Sequence, residues 1–333
     1  MHDAPSLQEL TGAATRWAGH HAALAARLGQ PGAVRLTEEQ EALALGVARR
    51  LVHLLAAQLP LKTPIDSIWA RWEHAGLPSA TLVAPAIFAR VEEYRWRRMM
   101  IGPLHDPLPG LFAETAGKRR SHAVPAGIDA DRAATVDAAL LALRIVDGAR
   151  SDAFGLPLLL PAELSPQALR ALLFDTGAQD LAQAADMNSR APEIAAAVER
   201  VIAGLADCPV DAAARAYVTA LEQTDLLIVA NADAMARHDW LAVIAVVAVK
   251  AGLRFAEAAA TLVAADEGAV QAFFTSLGLD SGAITPLLDS LAEIPGRPCA
   301  AEPPLPAPAS EDMVQAVAAR AEALRARQHE GRP

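Results

Sequence analysis

The stretch "RVEEYRWRRMM", Arg90 to Met100, concentrates arginine and aromatic side chains on one short segment. Arginine offers a planar donor fork that also stacks on rings, the chemistry that meets a phosphate group, RNA or an acidic protein surface. "GKRR", ending at Arg120, adds a second basic cluster. Together they give a candidate partner-binding set: Arg90, Arg95, Trp96, Arg97, Arg98, Lys118, Arg119 and Arg120. The plainer alternative is a solvated helix face with Glu92 and Glu93 partly neutralising it. Helical spacing puts Ile87, Val91 and Tyr94 on the core side, so Arg90, Arg97 and Arg98 are expected to be exposed. Trp96, Met99 and Met100 lie off that stripe. A helix apolar on two sides is sandwiched in a core or meets a partner.

His105-Asp106 raises a different chemistry. HD-type helical phosphohydrolases hold one or two metals with a histidine, an adjacent His-Asp pair and a distant aspartate. His74 upstream and Asp137 or Asp147 downstream complete such a set on paper, and imidazole and carboxylate suit a water-activating divalent metal. Pro103, Pro107 and Pro109 surround the pair, however, and oppose the helix on which it would normally sit. His238-Asp239 repeats the dipeptide at a helix start, where aspartate is an ordinary first-turn residue. His20 and His21 diverge by about 100° on a helix and make a poor chelate. The chain has no His pair at i, i+4, no Cys-x-x-Cys, no phosphate-binding loop, no dinucleotide fingerprint and no nucleophile elbow. No catalytic residue, metal ligand or cofactor is therefore assigned. Cys208 precedes Pro209 at a helix start, where a thiol pKa can fall, though a small buried residue is the simpler reading.

The elements that must position these groups read as helices throughout. A segment from Leu7 to Leu28 ends at Gly29, Pro31 and Gly32. In "LTEEQEALALGVARRLVHLLAAQL", Thr37 is an N-cap and Glu38, Glu39 and Glu41 suit the positive helix end. Leu43, Val47, Leu51, Leu54 and Leu55 mark its buried face. Thr63-Pro64 restarts a helix, another runs from about Pro85 to Met100, and Ser165-Pro166 caps a further one. Residues 102–130 are rich in proline and glycine and read as a linker or functional loop. "PGRPCAAEPPLPAPAS" is an extended spacer, after which Ser310 caps a tail helix. The expected organisation is 1–101, an N-terminal helical domain; 102–130, the basic loop; 131–296, a helical-hairpin domain; 297–309, the spacer; and 310–333, the tail helix.

One device recurs: helices ending in Gly-Leu at Gly76, Gly204, Gly252 and Gly278. Glycine just past a helix accepts the left-handed conformation, and the following leucine packs back on the last turn. The units around Gly252 and Gly278 align at a spacing of 26 residues, matching Leu262 to Leu288, which points to stacked hairpins. The same pattern resembles a DNA-reading helix-turn-helix. The second helices offer few side chains that read base edges: "RFAEAAATLV" has one arginine and one acid and "DSGAITPLL" no base, so nucleic acid is not the expected partner. The apolar run Trp240 to Val249 is bounded by Asp239 and Lys250 and falls well short of the roughly 20 residues that span a bilayer.

Composition agrees. Hydrophobic residues make up 53% and aromatics 4%. An alanine-rich, aromatic-poor chain favours closely packed helices over strands. The net charge of -10 is uneven: residues 1–120 carry 14 Lys+Arg against 11 Asp+Glu, and the remainder 15 against 28. The acidic portion should repel nucleic acid and anionic membrane. Two cysteines do not make a disulfide framework. With no basic start followed by an apolar stretch, a cytoplasmic location is expected.

"LTEEQEALALGVARRLV" and "WLAVIAVVAVKAGLRFAEAAATLV" resemble stretches of the bacterial family called domain of unknown function 2336. The likeness implies an all-helical bacterial protein and carries over no catalytic residue. The fold expected is all-α: packed helical hairpins, either repeat-like in the manner of HEAT proteins or an irregular bundle. The function expected is a non-enzymatic interaction or regulatory protein with a protein partner and scope for homo-oligomers. The alternatives are the HD-type hydrolase using His105 and Asp106 and a nucleic-acid-binding regulator.

Overall fold

Capping and proline placement set the helix starts in a computed structural model of the chain, which describes residues 22, 24, 25, 36–100, 130–184, 187–204 and 207–294. Thr37 and Gln40 cap each other's backbone N–H at the start of α1 (Glu38–Ala56). Pro64 precedes α2 (Ile65–Ala75), and α3 (Ala80–Met100) carries Pro85 in its second turn. Beyond come α4 (Ala130–Gly148), a 3₁₀ turn (Pro161–Glu163), α5 (Pro166–Leu181), α6 (Met187–Gly204) and α7 (Pro209–Gln223). The series ends with α8 (Leu227–Ala236), α9 (Trp240–Ala251), α10 (Phe255–Ala264), α11 (Glu267–Ser276) and α12 (Ser281–Ala292). Ser165 Oγ accepts the Ala168 N–H at the start of α5, as expected of a serine N-cap before proline. The described residues form no β-strand; their sole β feature is a bridge between Ser151 and Pro157. The protein is all-α, a packed helical bundle.

The bundle is organised around α9 and α10. Every residue of α9 from Trp240 to Ala248 is buried. It packs on α7, α8 and α10, while α10 packs on α3. Helix α3 in turn rests on α1 and α5, and α4 lies along α7. One hydrophobic cluster runs from Leu24 to Ile294, so helices on both sides of residues 101–129 share a core. None of the described helices is long and apolar enough to cross a membrane.

The expected hairpin turn is present. Gly252 has φ 66° and ψ 30°, and the Leu253 N–H donates back to Ala248 O at 2.8 Å. At the second hairpin, Gly278 has φ 93° and Leu279 donates to Phe274 O at 3.1 Å. Both are Schellman-type closures that satisfy orphan carbonyls. Gly76 also has positive φ, but with ψ 151° it leaves the left-handed helical region. Gly204 corrects the expectation: it is the last residue of α6 and its φ is not positive. Its leucine partner, Leu205, lies outside the described residues.

Two further readings shift in register. The buried face of α1 is Ala44, Val47, Ala48, Leu51, Val52 and Leu55, whereas Leu54 is exposed. The stripe turns toward the alanines because small side chains let the neighbouring helices approach. The third helix begins at Ala80 rather than near Pro85, so the proline sits in its second turn, where it gives up one backbone hydrogen bond near the helix start. The segment 7–21, residues 102–129, the spacer 297–309 and the tail 310–333 lie outside the described residues.

Candidate functional site

The basic-aromatic segment is the second half of α3, and it faces inward. Arg90, Arg95 and Trp96 are buried, as are Glu92 and Glu93. The exposure expected for Arg90 and Arg97 is overturned: Arg90 is 2% exposed, and Arg97 is partly covered and fully engaged with carboxylates. Arg98 alone of the three is exposed, its guanidinium lying 5.9 Å from the Tyr94 ring centroid. Helix periodicity set the apolar stripe correctly at Ile87 and Val91. It failed for the arginines because α3 is enclosed by α1, α5 and α10 rather than lying on one side of a core.

Burial of so many charges is possible because they balance. Arg150 is completely buried and grips Glu93 with both terminal nitrogens, at 2.8 and 2.7 Å. Its Nε and Nη2 reach Glu163 Oε1 at 2.8 and 2.7 Å, and its Nη1 reaches Asp147 at 3.1 Å. Arg97 holds Asp147 through two parallel bonds, 2.9 and 2.6 Å, and touches Glu93 at 3.0 Å. Arg90 lies 3.4 Å from Glu93 and donates to Leu158 O and Arg150 O. The Arg150 guanidinium also sits 5.2 Å from the Phe255 ring centroid. Three guanidiniums thus face three carboxylates, and the polar groups are satisfied by one another and by backbone, as a buried ionic network requires.

The electrostatics follow from that geometry. Burial alone would raise the Glu93 pKa, but the Arg150 and Arg90 charges overcome it and hold the carboxyl well below its usual range. Asp147 is likewise lowered, because hydrogen bonds and charge from Arg97 outweigh its burial. Burial pulls Arg90 down to about 10, so it still carries charge at neutral pH. Glu93, Asp147 and Arg90 are therefore held in their charged forms, each committed to partners within the network. The chemistry available here is clamping: α3, the end of α4, the 3₁₀ turn and α10 meet at Arg150.

A second set works similarly at the first helix. Arg95 Nη1 holds Glu92 at 2.8 and 3.1 Å, Arg95 Nε meets Glu39 at 3.1 Å, and Gln40 donates to Glu92 at 3.0 Å. Trp96 donates its indole N–H to Ser290 Oγ at 2.8 Å and stacks on Trp240 with centroids 5.5 Å apart. It joins α3 to α9 and α12.

The remaining sequence candidates are scattered. Lys118, Arg119, Arg120, His105 and Asp106 lie outside the described residues. His74 is exposed on α2, hydrogen-bonded to Ala70 O. Asp147, offered as a distant metal ligand, is held by Arg97 and Arg150. Asp239 caps α9 and pairs with Arg144. Among the described residues no group of three or more His, Cys, Asp or Glu is placed to hold a metal. Cys208 is the buried N-cap residue of α7, and burial pushes its thiol up to about 11, the opposite of an activated nucleophile. Arg254, the base that opens the second helix of the first hairpin, donates to Glu163 O at 2.8 Å.

Sequence reasoning missed an outward apolar stripe. On α4, Val136, Leu140 and Leu143 face the core, while Leu141 and Ile145 are 58% and 67% exposed. Exposed Ala134 and Ala138 continue the same line toward the helix start. The signal was present in "DAALLALRIV", where apolar residues wrap farther round the helix than one core face can absorb. No protein-family model matches the chain, and neither a curated protein nor a solved structure shows significant similarity to it.

Proposed function

We propose that the chain is a non-enzymatic helical interaction protein that self-associates through the outer stripe of α4. The observation that carries this reading is the exposure of Leu141 and Ile145 on a helix whose other side is already buried. Large apolar groups gathered on one exposed line mark a contact surface. The stripe Ala134, Ala138, Leu141, Ile145 has the same spacing read from either end. Laid antiparallel against a second copy, it sets Ile145 over Ala134 and Leu141 over Ala138. Large groups then enter the gaps left by small ones across a two-fold axis. The mutually bonded arginines and carboxylates of α3 support a structural part for that helix, which moves the contact surface to α4.

A single helix pair is a small interface, so association in the micromolar range is expected. Sedimentation or light scattering across roughly 1–200 µM should show a concentration-dependent dimer, a range set by that affinity. Leu141→Lys with Ile145→Lys should give a monomer with nearly unchanged thermal midpoint, because exposed substitutions typically shift stability by no more than about 0.5 kcal/mol. A wild-type chain that stays monomeric throughout, or a double variant that still dimerises, rejects the α4 contact.

A further inference from the structure

A cleft of about 460 Å³ opens where the start of α2 meets the turn between α5 and α6. Its lining includes Lys62, Thr63, Ser67, Arg71, Asp180 and Arg190. The negative charge of this group is used internally. Asp180 Oδ1 accepts the Lys62 and Thr63 backbone N–H groups at 3.0 and 2.7 Å, and Oδ2 accepts Arg190 Nη2 at 2.8 Å. Those bonds hold its carboxyl low against the effect of burial. Arg190 Nη2 also donates to Pro60 O at 2.9 Å.

The two guanidiniums of the lining are not fully used. The Arg190 side chain is 5% exposed, yet its Nη1 has no hydrogen-bond partner, and Arg71 Nη1 is likewise shielded and unpartnered. Buried guanidinium N–H groups without acceptors are rare and call for an explanation. These two guanidiniums line the cleft with Asp180, the Ser67 side chain lies on the same wall, and the positive end of an eleven-residue helix lies beside them. Asp66, in the first turn of that helix, is not part of the lining and pairs with Arg49.

We infer that this cleft binds a tetrahedral oxyanion, inorganic phosphate or the phosphate group of a small ester, with Arg71 and Arg190 turning their unpartnered N–H groups onto its oxygens. Guanidinium forks match phosphate oxygens with directed, charge-assisted bonds. The site is separate from the α4 stripe and stands or falls without it.

Calorimetric titration of the full chain with inorganic phosphate, at ionic strength held constant with sodium chloride, tests this. Saturable binding with one site per chain is expected, together with a rise in thermal midpoint that acetate does not reproduce. Arg71→Gln, on a partly exposed side chain, should weaken binding by roughly tenfold or more while the far-ultraviolet circular dichroism stays unchanged. Ser67→Ala, at the exposed rim, should weaken it by a smaller factor and serves as the second reading should the arginine variant fold poorly. Absence of saturable binding, equal binding of acetate, or full phosphate affinity in both variants overturns the assignment.

Discussion

At the residue scale, Arg97 and Arg98 are chain neighbours with opposite fates. Arg97 makes two bonds to Asp147 and one to Glu93 inside the cluster, whereas Arg98 reaches only the Tyr94 hydroxyl and ring in the open. Arg97→Glu would place a fourth carboxylate among three and remove one of three balancing cations. Breaking a buried pair typically costs about 3–5 kcal/mol, and the partial exposure of Arg97 puts the expectation at the lower end. Arg98→Glu should shift stability by about 0.5 kcal/mol or less. Chemical denaturation of the two single variants separates them, and equal midpoints would contradict the clamp. The arginine and glutamate types were visible in the sequence; their partners were not. Asp147, Arg150 and Glu163 come from a distant stretch of chain, and helical periodicity on α3 carries no information about what encloses it.

At the scale of elements, caps and breakers were the most legible features. Thr37, Ser165 and the Gly252 turn act through bonds only a few residues long, so local sequence specifies them. Close approaches between helices were not legible. Gly177 stands inside α5, where glycine ordinarily weakens a helix by about 1 kcal/mol relative to alanine. A Cβ at this position would lie 2.5 Å from Ile194 Cγ2 on α6. The glycine is thus a packing requirement between two neighbouring helices, not a turn. Gly177→Ala should therefore lower stability, by about 1–3 kcal/mol as overpacking usually does, despite its better helix propensity. Adding Ile194→Ala to that variant should recover part of the loss relative to the sum of the single changes. Strict additivity in the double-mutant cycle would show that the two positions are not in steric conflict.

At the scale of the whole molecule, the shared core and the Arg150 cluster couple helices that the sequence places on either side of residues 101–129. Composition revealed the all-helical class, because alanine-rich, aromatic-poor chains pack as helices. It did not reveal that α3 would be enclosed by elements from both sides, since long-range pairing leaves no local signature. The coupling has a pH consequence with a definite sign. Glu93 and Asp147 have folded-state pKa values below their unfolded ones, so their stabilisation is complete above the unfolded carboxylate values of about 4. It declines as pH falls below those values toward the folded ones, because the unfolded chain then binds protons that the folded chain resists. Denaturant midpoints should accordingly fall steeply below about pH 4.5 in the wild type. Glu93→Gln should start less stable at pH 7 and lose less over the same interval, having one fewer depressed carboxylate. Far-ultraviolet circular dichroism and tryptophan fluorescence should follow the same transition. Trp69 and Trp72 on α2, Trp96 on α3 and Trp240 on α9 all report on the one hydrophobic cluster. An unchanged pH slope in Glu93→Gln would remove Glu93 from the linkage. Two separate transitions would mean that the helices before residue 101 and those after residue 129 unfold independently, and that the Arg150 clamp does not bind them into one cooperative unit.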